Sequence, residues 1–483
     1  MRVLFVTSEV APLVKTGGLA DVSAALPAAL RRLGDDVRVL MPGYPQVLRA
    51  LEAFRVEAFF TGVKGFPDFR LFTSTLSDGV PLWVIDCPEL YQRDGGIYQD
   101  SKGKDWPDNA LRFGLLSKVA AILGGEDSPI DWHPDVVHCN DWQTGLTPAY
   151  MHFSPGGAPT VMTVHNLAFQ GVFPPETVAE LELPEISFQP YGLEYYGYMS
   201  FLKAGLFYAN HITTVSPTYA LEIQSEALGF GMQGLLQDKQ YHLTGILNGI
   251  DDREWNPATD EALAHPYSIE RMAGKADNKH ALQKRMGLDV NPDVPLFGLV
   301  SRFTHQKGVD VVLEIAPQLI AAHAQLVLLG SGDATMQADA LALAKNYPGQ
   351  VATMVGFDEG LSHLIEAGAD IFLMPSRFEP CGLNQMYSQR YGTPPIVHAT
   401  GGLVDSVVDS SKETLASGEA SGFVFHSMTP SALLTCIQRA LTKYHNKKVW
   451  TQLQLNGMKK DFAWLKSAEK YREIYSALAE SRS

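Results

Sequence analysis

The sequence has few cysteines and no long apolar run. Its 483 residues include four cysteines, and none stands in a C-x-x-C pair or at metal-ligand spacing. We therefore expect reduced thiols in a cytoplasmic protein. No apolar stretch approaches the ~20 residues that span a bilayer, and the run at residues 3–6 is too short for a signal peptide. The sequence thus predicts no membrane partner, and residues 3–6 are typical of a first buried strand.

Positive charge is also scarce. There are 38 Lys and Arg residues against 53 Asp and Glu, a formal net charge of −15. Such a surface does not attract nucleic acid or anionic membranes at long range, so we expect no nucleic-acid partner. A phosphate-binding site in this chain must be a local basic spot in an acidic molecule.

Several common catalytic motifs are missing. The sequence contains no HExxH, no GxxxxGK[ST] P-loop and no GxSxG elbow. The run Gly330-Ser331-Gly332 is only half of a dinucleotide fingerprint.

Short apolar runs alternate with helical patterns, which predicts α/β domains with parallel sheets covered by helices on both faces. The length favours two domains. In the first half we predict a helix at residues 19–33 and strands at residues 3–7, 37–41, 82–86, 135–138, 160–165 and 211–215. In the second half we predict strands at residues 296–301, 325–330, 351–356, 371–375 and 395–398.

The stretch at residues 247–260, LNGIDDREWNPATD, is rich in turn residues and marks the predicted boundary. We expect a Rossmann-like domain at residues 1–246, a second at 247–460, and a C-terminal helix at 461–483. The two domains are predicted to face each other across a cleft that binds the ligand.

The segment KTGGLADV joins the first strand to the first helix. Its two glycines allow a close ligand approach, Lys15 offers a point charge for phosphate, and a helix start favours an anion. An ordinary turn with Asp21 in the first helical turn is the alternative.

The segment SRFTHQKG follows the first strand of the second domain. Arg302 and Lys307 flank its loop, and a diphosphate leaving group needs such charges because negative charge accumulates on it as the bond breaks. The alternative is a solvated basic loop.

The segment PSRFEPCGL precedes a predicted helix. Glu379 could accept hydrogen bonds from sugar hydroxyls, while Gly382 and Leu383 offer backbone N–H groups. Glu379 could equally be a first-turn acid that complements the helix dipole. Two weaker signals also lie at strand ends. One is TVHN, whose His165 could orient a substrate or be an ordinary core histidine, and the other is the Gly-Gly turn of TGGL at residues 400–403.

Taken in order, KTGGLADV, HNLAFQG, VSPTYA, LNGID, SRFTHQKG, PSRFEPCGL and TGGL resemble the bacterial glycogen synthases and the related plant starch synthases. The resemblance runs from residue 2 to about residue 475. It implies a retaining glycosyltransferase of the two-Rossmann GT-B fold that moves glucose from ADP-glucose to the non-reducing end of an α-1,4-glucan.

The resemblance also implies residue roles. Catalytic roles fall on Glu379, Arg302, Lys307 and His165, and Asp141 lies on the acceptor side, in the first domain. The nucleotide sugar would contact Lys15, Gly18, Asp21, Asn166, Asn248, Phe357, Gly382 and Leu383. The last helix, with Trp464 and Tyr471, would cross back to the first domain.

The family is thought to transfer glucose by same-face substitution, with the leaving diphosphate helping to deprotonate the acceptor and the His165 main chain shielding positive charge. No cofactor or metal is implied, because there is no carboxylate triad and Arg302 with Lys307 would replace Mg²⁺.

The chain departs from the usual family pattern at three positions. Gln143 replaces a His, Asn384 a Thr, and Phe357 a Tyr that stacks on adenine. These put fine tuning of acceptor and nucleotide contacts in doubt. Tyr387 replaces the second Glu of the wider superfamily, as is usual in this family.

Two rival functions remain open at this point. One is another retaining GT-B transferase, such as a sucrose or trehalose-phosphate synthase or a user of UDP-glucose. The other is a catalytically idle glucan-binding protein. The family-specific KTGGLADV argues against the first, and intact Lys15, Arg302, Lys307 and Glu379 against the second.

Overall fold

The structure, a computed structural model, describes residues 1–154 and 156–481. The chain divides into two compact units. Unit 1 comprises Met1–Gly249 together with the residues from Trp464 onward, and unit 2 comprises Ile250–Ala463. The chain therefore passes between the units twice.

The strands of unit 1 form a nine-stranded sheet and a small three-stranded sheet, and those of unit 2 form a six-stranded sheet. In chain order the strands are β1 Arg2–Val6, β2 Asp36–Pro42, β3 Arg55–Phe60, β4 Phe69–Thr75, β5 Pro81–Asp86, β6 Val136–Asn140, β7 Thr160–Val164, β8 Val172–Phe173, β9 Glu194–Tyr195, β10 Tyr198–Ser200, β11 His211–Thr214, β12 Leu243–Gly245, β13 Leu296–Val300, β14 Gln325–Gly330, β15 Val351–Val355, β16 Ile371–Met374, β17 Pro395–His398 and β18 Phe423–Phe425.

Helices fill most of the connections between strands. They are α1 Gly18–Arg32, α2 Pro45–Ala50, α3 Pro88–Tyr91, α4 Asn109–Gly124, α5 Leu146–His152, α6 Thr177–Glu180, α7 Phe201–Tyr208, α8 Pro217–Glu222, α9 Gln233–Asp238, α10 Ala273–Arg285, α11 Val309–Ala321, α12 Ala334–Asn346, α13 Glu359–Gly368, α14 Asn384–Arg390, α15 Gly401–Ser406, α16 Lys412–Ser417, α17 Pro430–Tyr444, α18 Lys447–Met458 and α19 Trp464–Glu480. Short 3₁₀ turns lie at Trp142–Thr144, Glu185–Ser187, Gln240–His242 and His305–Lys307.

The large sheet of unit 1 has the order β12-β11-β7-β6-β1-β2-β5-β4-β3. Its strands are parallel from β12 to β5, and β4 and β3 are added antiparallel at one edge. β1 and β5 are largely apolar, and every residue of β6 and β7 is buried, because helices cover both faces of such a sheet. The order changes direction between β1 and β6, and the ends of these two strands frame one crevice.

The sheet of unit 2 has the order β15-β14-β13-β16-β17-β18, and all its pairs are parallel. Numbered within the unit this is 3-2-1-4-5-6, the Rossmann order, whose direction changes between β13 and β16. All eleven predicted strands are present, with ends displaced by at most two residues. The sequence did not predict β3, β4, β8, β9, β10, β12 or β18.

The last helix, α19, is part of unit 1 and packs against α1. Its Tyr471 and Tyr475 are fully buried. Inside the sheet, His138 Nδ1 lies 2.6 Å from the Tyr475 hydroxyl and Nε2 lies 2.6 Å from Thr163 Oγ1. Burial lowers the pKa of His138 to about 3, so its imidazole is neutral and each nitrogen has one partner. Within the described ranges, no helix is long and apolar enough to cross a bilayer.

Candidate functional site

In unit 1, the segment KTGGLADV follows β1 and leads into α1. Lys15 Nζ forms an exposed ion pair with Asp21 Oδ1 at 2.7 Å. A Cβ placed on Gly17 or Gly18 would have no atom of the described chain within 4 Å. Packing inside the protein therefore does not require these glycines, and their backbone faces open space at a helix start, where N–H groups lack intrahelical partners.

Glu9, in the loop after β1, holds the start of this segment in place. Its carboxylate accepts hydrogen bonds from Thr16 N at 2.5 Å, Thr16 Oγ1 at 2.9 Å and Tyr98 Oη at 3.1 Å. Burial raises the pKa of Glu9 against the lowering effect of these bonds. The sequence does not point to Glu9 as a site residue, because no local pattern indicates that its side chain reaches Thr16.

Asp141 follows β6, across the crevice from the end of β1. Its backbone has φ 57° and ψ −177°, a region that is almost restricted to glycine, and such strain persists mostly at functional positions. Its Oδ1 accepts the His165 N–H at 2.7 Å. Burial raises the pKa of Asp141 to about 7, although the N–H groups of His165 and Asn166 favour the ionised form.

His165 follows β7, next to Asp141. Its Nε2 lies 3.0 Å from Asn140 Oδ1, and the Asn140 amide group is oriented because its Nδ2 donates to Val6 O. An amide oxygen only accepts, so the Nε2 of His165 carries the hydrogen and Nδ1 keeps its lone pair. Burial lowers the pKa of His165 to about 3, and the ring is neutral near pH 7.

Two asparagines predicted to contact the donor also lie in unit 1. The Asn166 side chain accepts the Ala168 N–H at 3.0 Å and shapes the turn after β7. Asn248 is 8% exposed, and its Oδ1 is buried without a hydrogen-bond partner among the described residues. An unsatisfied buried carbonyl is costly, so Asn248 is suited to accept a hydrogen bond from a ligand hydroxyl.

In unit 2, the loops after β13 and β16 meet at the point where the strand order changes direction. Lys307 Nζ forms an ion pair with Glu379 Oε2 at 2.6 Å, and Ser376 Oγ donates to the same oxygen at 2.9 Å. Glu379 is only 6% exposed. The two loops predicted separately therefore share one ion pair, formed by residues 72 positions apart.

Arg302 differs from Lys307 in its environment. It is exposed, and its guanidinium has no hydrogen bond or ion pair with any residue that the structure describes. The five N–H donors of its planar guanidinium are thus available for an anionic ligand. Arg302 lies in the same loop as Lys307.

Glu379 is not a helix-dipole acid. The helix that follows, α14, begins only at Asn384, and the dipole effect is confined to the first turn. That alternative interpretation was wrong. Between Glu379 and the helix stand Gly382, with φ +74°, and Leu383, which precedes the first helical residue.

The loop that carries Glu379 is held from two sides. The Arg377 guanidinium donates to both oxygens of Asp310 at 2.8 and 2.7 Å, which joins the loop to α11. On the other side, a Cβ at Gly401 would lie 1.9 Å from Glu379 O, and one at Gly402 would lie 2.0 Å from Cys381 O. Close backbone packing alone is therefore enough to require the glycines of TGGL.

Two of the departures from the family pattern lie in unit 2. The Asn384 amide donates to Val300 O at 2.7 Å, so this residue ties α14 to the end of β13. Phe357 is 86% exposed after β15, which leaves its ring face available for stacking. Gln143, the third departure, is buried in unit 1.

Gly18 offers a clean test of the KTGGLADV segment. Gly18→Ala is expected to fold at least as stably as the parent, because alanine is favoured over glycine in helices by ~1 kcal/mol and meets no atom. If the ligand approaches this backbone, the KM for the donor should rise several-fold. Gly234→Ala is the matched control, because Gly234 also lies in the first turn of a helix and a Cβ there would have no atom of the described chain within 4 Å. It should change neither the stability nor the KM for the donor. An unchanged KM in Gly18→Ala would mean that the ligand does not approach here.

Comparisons with known families give matches in both units. Residues 2–238 match the starch synthase catalytic domain, and residues 283–453 match the glycosyl transferases group 1. The glycogen synthase of Nitrosospira multiformis is 59% identical, covering 100% of this chain and 98% of that protein. The glycogen synthase of Dechloromonas aromatica is 54% identical over 100% of this chain and 99% of its own length.

Two solved structures resemble the chain over 99% of its length and 99% of theirs. The catalytic domain of Arabidopsis thaliana starch synthase IV, bound to ADP and acarbose, matches with a TM-score of 0.86 at 32% identity. A sucrose-phosphate synthase from Thermosynechococcus elongatus matches with a TM-score of 0.61 at 16% identity, which shows a shared fold only. The predicted two-domain GT-B-like architecture is thereby confirmed.

Proposed function

We propose a specific reaction from one premise: the chain belongs to the glycogen synthase family and is a glycosyltransferase that acts on a nucleotide sugar and a glucan. The donor in this proposal is ADP-glucose. The acceptor is the 4-hydroxyl at the non-reducing end of an α-1,4-glucan, and the α configuration is retained.

The observation that carries the proposal is the charge arrangement at the strand-order change of unit 2. Exposed Arg302 has its donors available, while Lys307 is held by the buried carboxylate of Glu379. Charges held before the reaction stabilise growing negative charge without reorganisation. In an acidic chain this basic spot suits the diphosphate of a nucleotide sugar.

We assign the remaining roles as follows. The nucleotide sugar contacts Lys15, Gly18, Asp21, Asn166, Asn248, Phe357, Gly382 and Leu383. Neutral His165 lines the glucose, and Asp141 serves the acceptor. The bond from C1 to the diphosphate oxygen breaks, the acceptor oxygen bonds C1 on the same face, and its proton passes to the diphosphate.

We also propose that the reaction needs no metal and runs in the cytoplasm. Arg302 and Lys307 supply two cationic groups for the diphosphate, the role that Mg²⁺ has in other transferases. The four cysteines are buried, and none of them forms a disulfide in the part of the chain that the structure describes, which suits a reducing compartment.

The test of this function is a glucan-elongation assay with labelled sugar nucleotides. We expect ADP-glucose to give a larger kcat/KM than UDP-glucose, with label added to glycogen at the non-reducing ends. The proposal would be overturned if the added glucose were joined with inverted configuration at C1. It would also be overturned if glucose were transferred to a hexose phosphate instead of a glucan. If kcat/KM for ADP-glucose is equal to or lower than kcat/KM for UDP-glucose, only the assignment of the donor is overturned.

A further inference from the structure

Three side chains in unit 2 bring ligand atoms together outside the residues assigned above. Glu254, in the loop that opens the unit, lies beside Glu359 and His363 on α13, and one ligand atom of each lies within 4.8 Å of the other two. Glu359 and His363 are four positions apart, so they share one helix face. Both glutamates are exposed, whereas His363 is 5% exposed.

The hydrogen bonds of His363 determine which of its nitrogens is available. His363 Nδ1 lies 2.7 Å from Asp260 Oδ2, which also accepts from the Tyr391 hydroxyl. A carboxylate oxygen that accepts from a hydroxyl is an acceptor here, so His363 Nδ1 carries the hydrogen between the two groups. Among the described residues, Nε2 has no hydrogen-bond partner.

The ring of His363 is also fixed in orientation. Trp255 stacks on it with ring centroids 3.8 Å apart and planes at 13°, and the ring of Tyr387 stacks with Trp255 at 3.7 Å and 9°. Since Trp255 follows Glu254 in sequence, the same contact anchors the loop that carries Glu254. A carboxylate that orients a histidine from behind is the usual outer-shell arrangement of metal-ligating histidines.

We propose that Glu254, Glu359 and His363 Nε2 bind one divalent transition cation, with Zn²⁺ as the best fit. One imidazole nitrogen and two carboxylate oxygens suit Zn²⁺ better than the all-oxygen shells that Ca²⁺ and Mg²⁺ prefer. Three protein ligands leave room for water, so the ion is exchangeable. It joins the loop at residues 250–260 to α13, and it takes no part in the proposed reaction.

The experiment is calorimetric titration of the chelator-treated full chain with ZnCl₂. The double variant Glu254→Gln/Glu359→Gln changes two exposed side chains and leaves the His363–Asp260 pair intact. We expect the parent to bind one more equivalent of Zn²⁺ than this variant, and each single substitution to weaken that site at least tenfold. The chain has 14 histidines in total, and parent and variant share all of them. Subtracting the two stoichiometries therefore cancels the Zn²⁺ that the other histidines bind.

The matched control is Glu261→Gln/Glu413→Gln. Glu261 is an exposed turn acid in the same unit, and Glu413 is an exposed first-turn acid like Glu359. The control should bind as many equivalents as the parent. Equal stoichiometry in parent and Glu254→Gln/Glu359→Gln, or the same loss in the control, would overturn the site. A change in melting temperature without any difference in Zn²⁺ binding would also overturn it, because the cluster would then be an ion-pair network only.

Discussion

Arg302→Ala and Lys307→Ala should each lower kcat by ~10²–10³-fold, the usual effect of losing one donor that stabilises transition-state charge. Charge on the diphosphate grows as the bond to glucose breaks, so these cations favour the transition state over the bound substrate. Inhibition by ADP should weaken as well, because the product keeps the diphosphate. The measurement is kcat and the ADP inhibition constant, with circular dichroism to confirm folding.

The two substitutions should differ in one respect. Arg302 has no partner in the described chain, so its loss should leave stability unchanged, whereas Lys307→Ala leaves the buried Glu379 without its cation. Arg302→Lys should recover little activity, since a point charge cannot replace a planar fork. Arg271→Ala, an exposed arginine elsewhere in unit 2, is the control. Near-native kcat in folded Arg302→Ala and Lys307→Ala would make this loop a solvated basic turn.

Glu379→Gln should also abolish most activity, with a kcat loss of about 10²-fold or more. The amide keeps the shape but removes the charge that holds Lys307. In the proposed reaction this charge also faces the positive charge that develops on glucose. Breaking a buried ion pair costs ~3–5 kcal/mol, so unfolding must be measured beside kcat. Ser376→Ala separates the two effects, because it removes only the neutral hydrogen bond at 2.9 Å. We expect it to keep activity within about tenfold. A stable, fully active Glu379→Gln would exclude this carboxylate from the reaction.

The core strands were predictable from sequence because parallel strands buried on both faces are continuous apolar runs. The three-stranded sheet was not, since β8, β9 and β10 contain two or three residues each and show no period. β3 and β4 alternate weakly at an exposed edge, where polar and apolar residues mix freely.

The residues of the site were easier to predict than their pairing. Lys307 and Glu379 both follow apolar strands, which is a local signal. Their ion pair depends on β13 and β16 being neighbours, and the order of strands in a sheet is not written in any one segment. In the same way, the close packing of Gly401 and Gly402 on Glu379 and Cys381 depends on β16 and β17 being neighbours.

The position of α19 has a consequence for synthesis on the ribosome. Unit 1 contains residues at both ends of the chain, and its buried His138 is completed by Tyr475. At ~5–20 residues per second, roughly 10–50 s pass between translation of Gly249 and translation of α19. All of unit 2 is translated during that interval. Throughout it, the surface of unit 1 that α19 later covers remains exposed to solvent. Unit 2 can therefore finish folding first although it is made second.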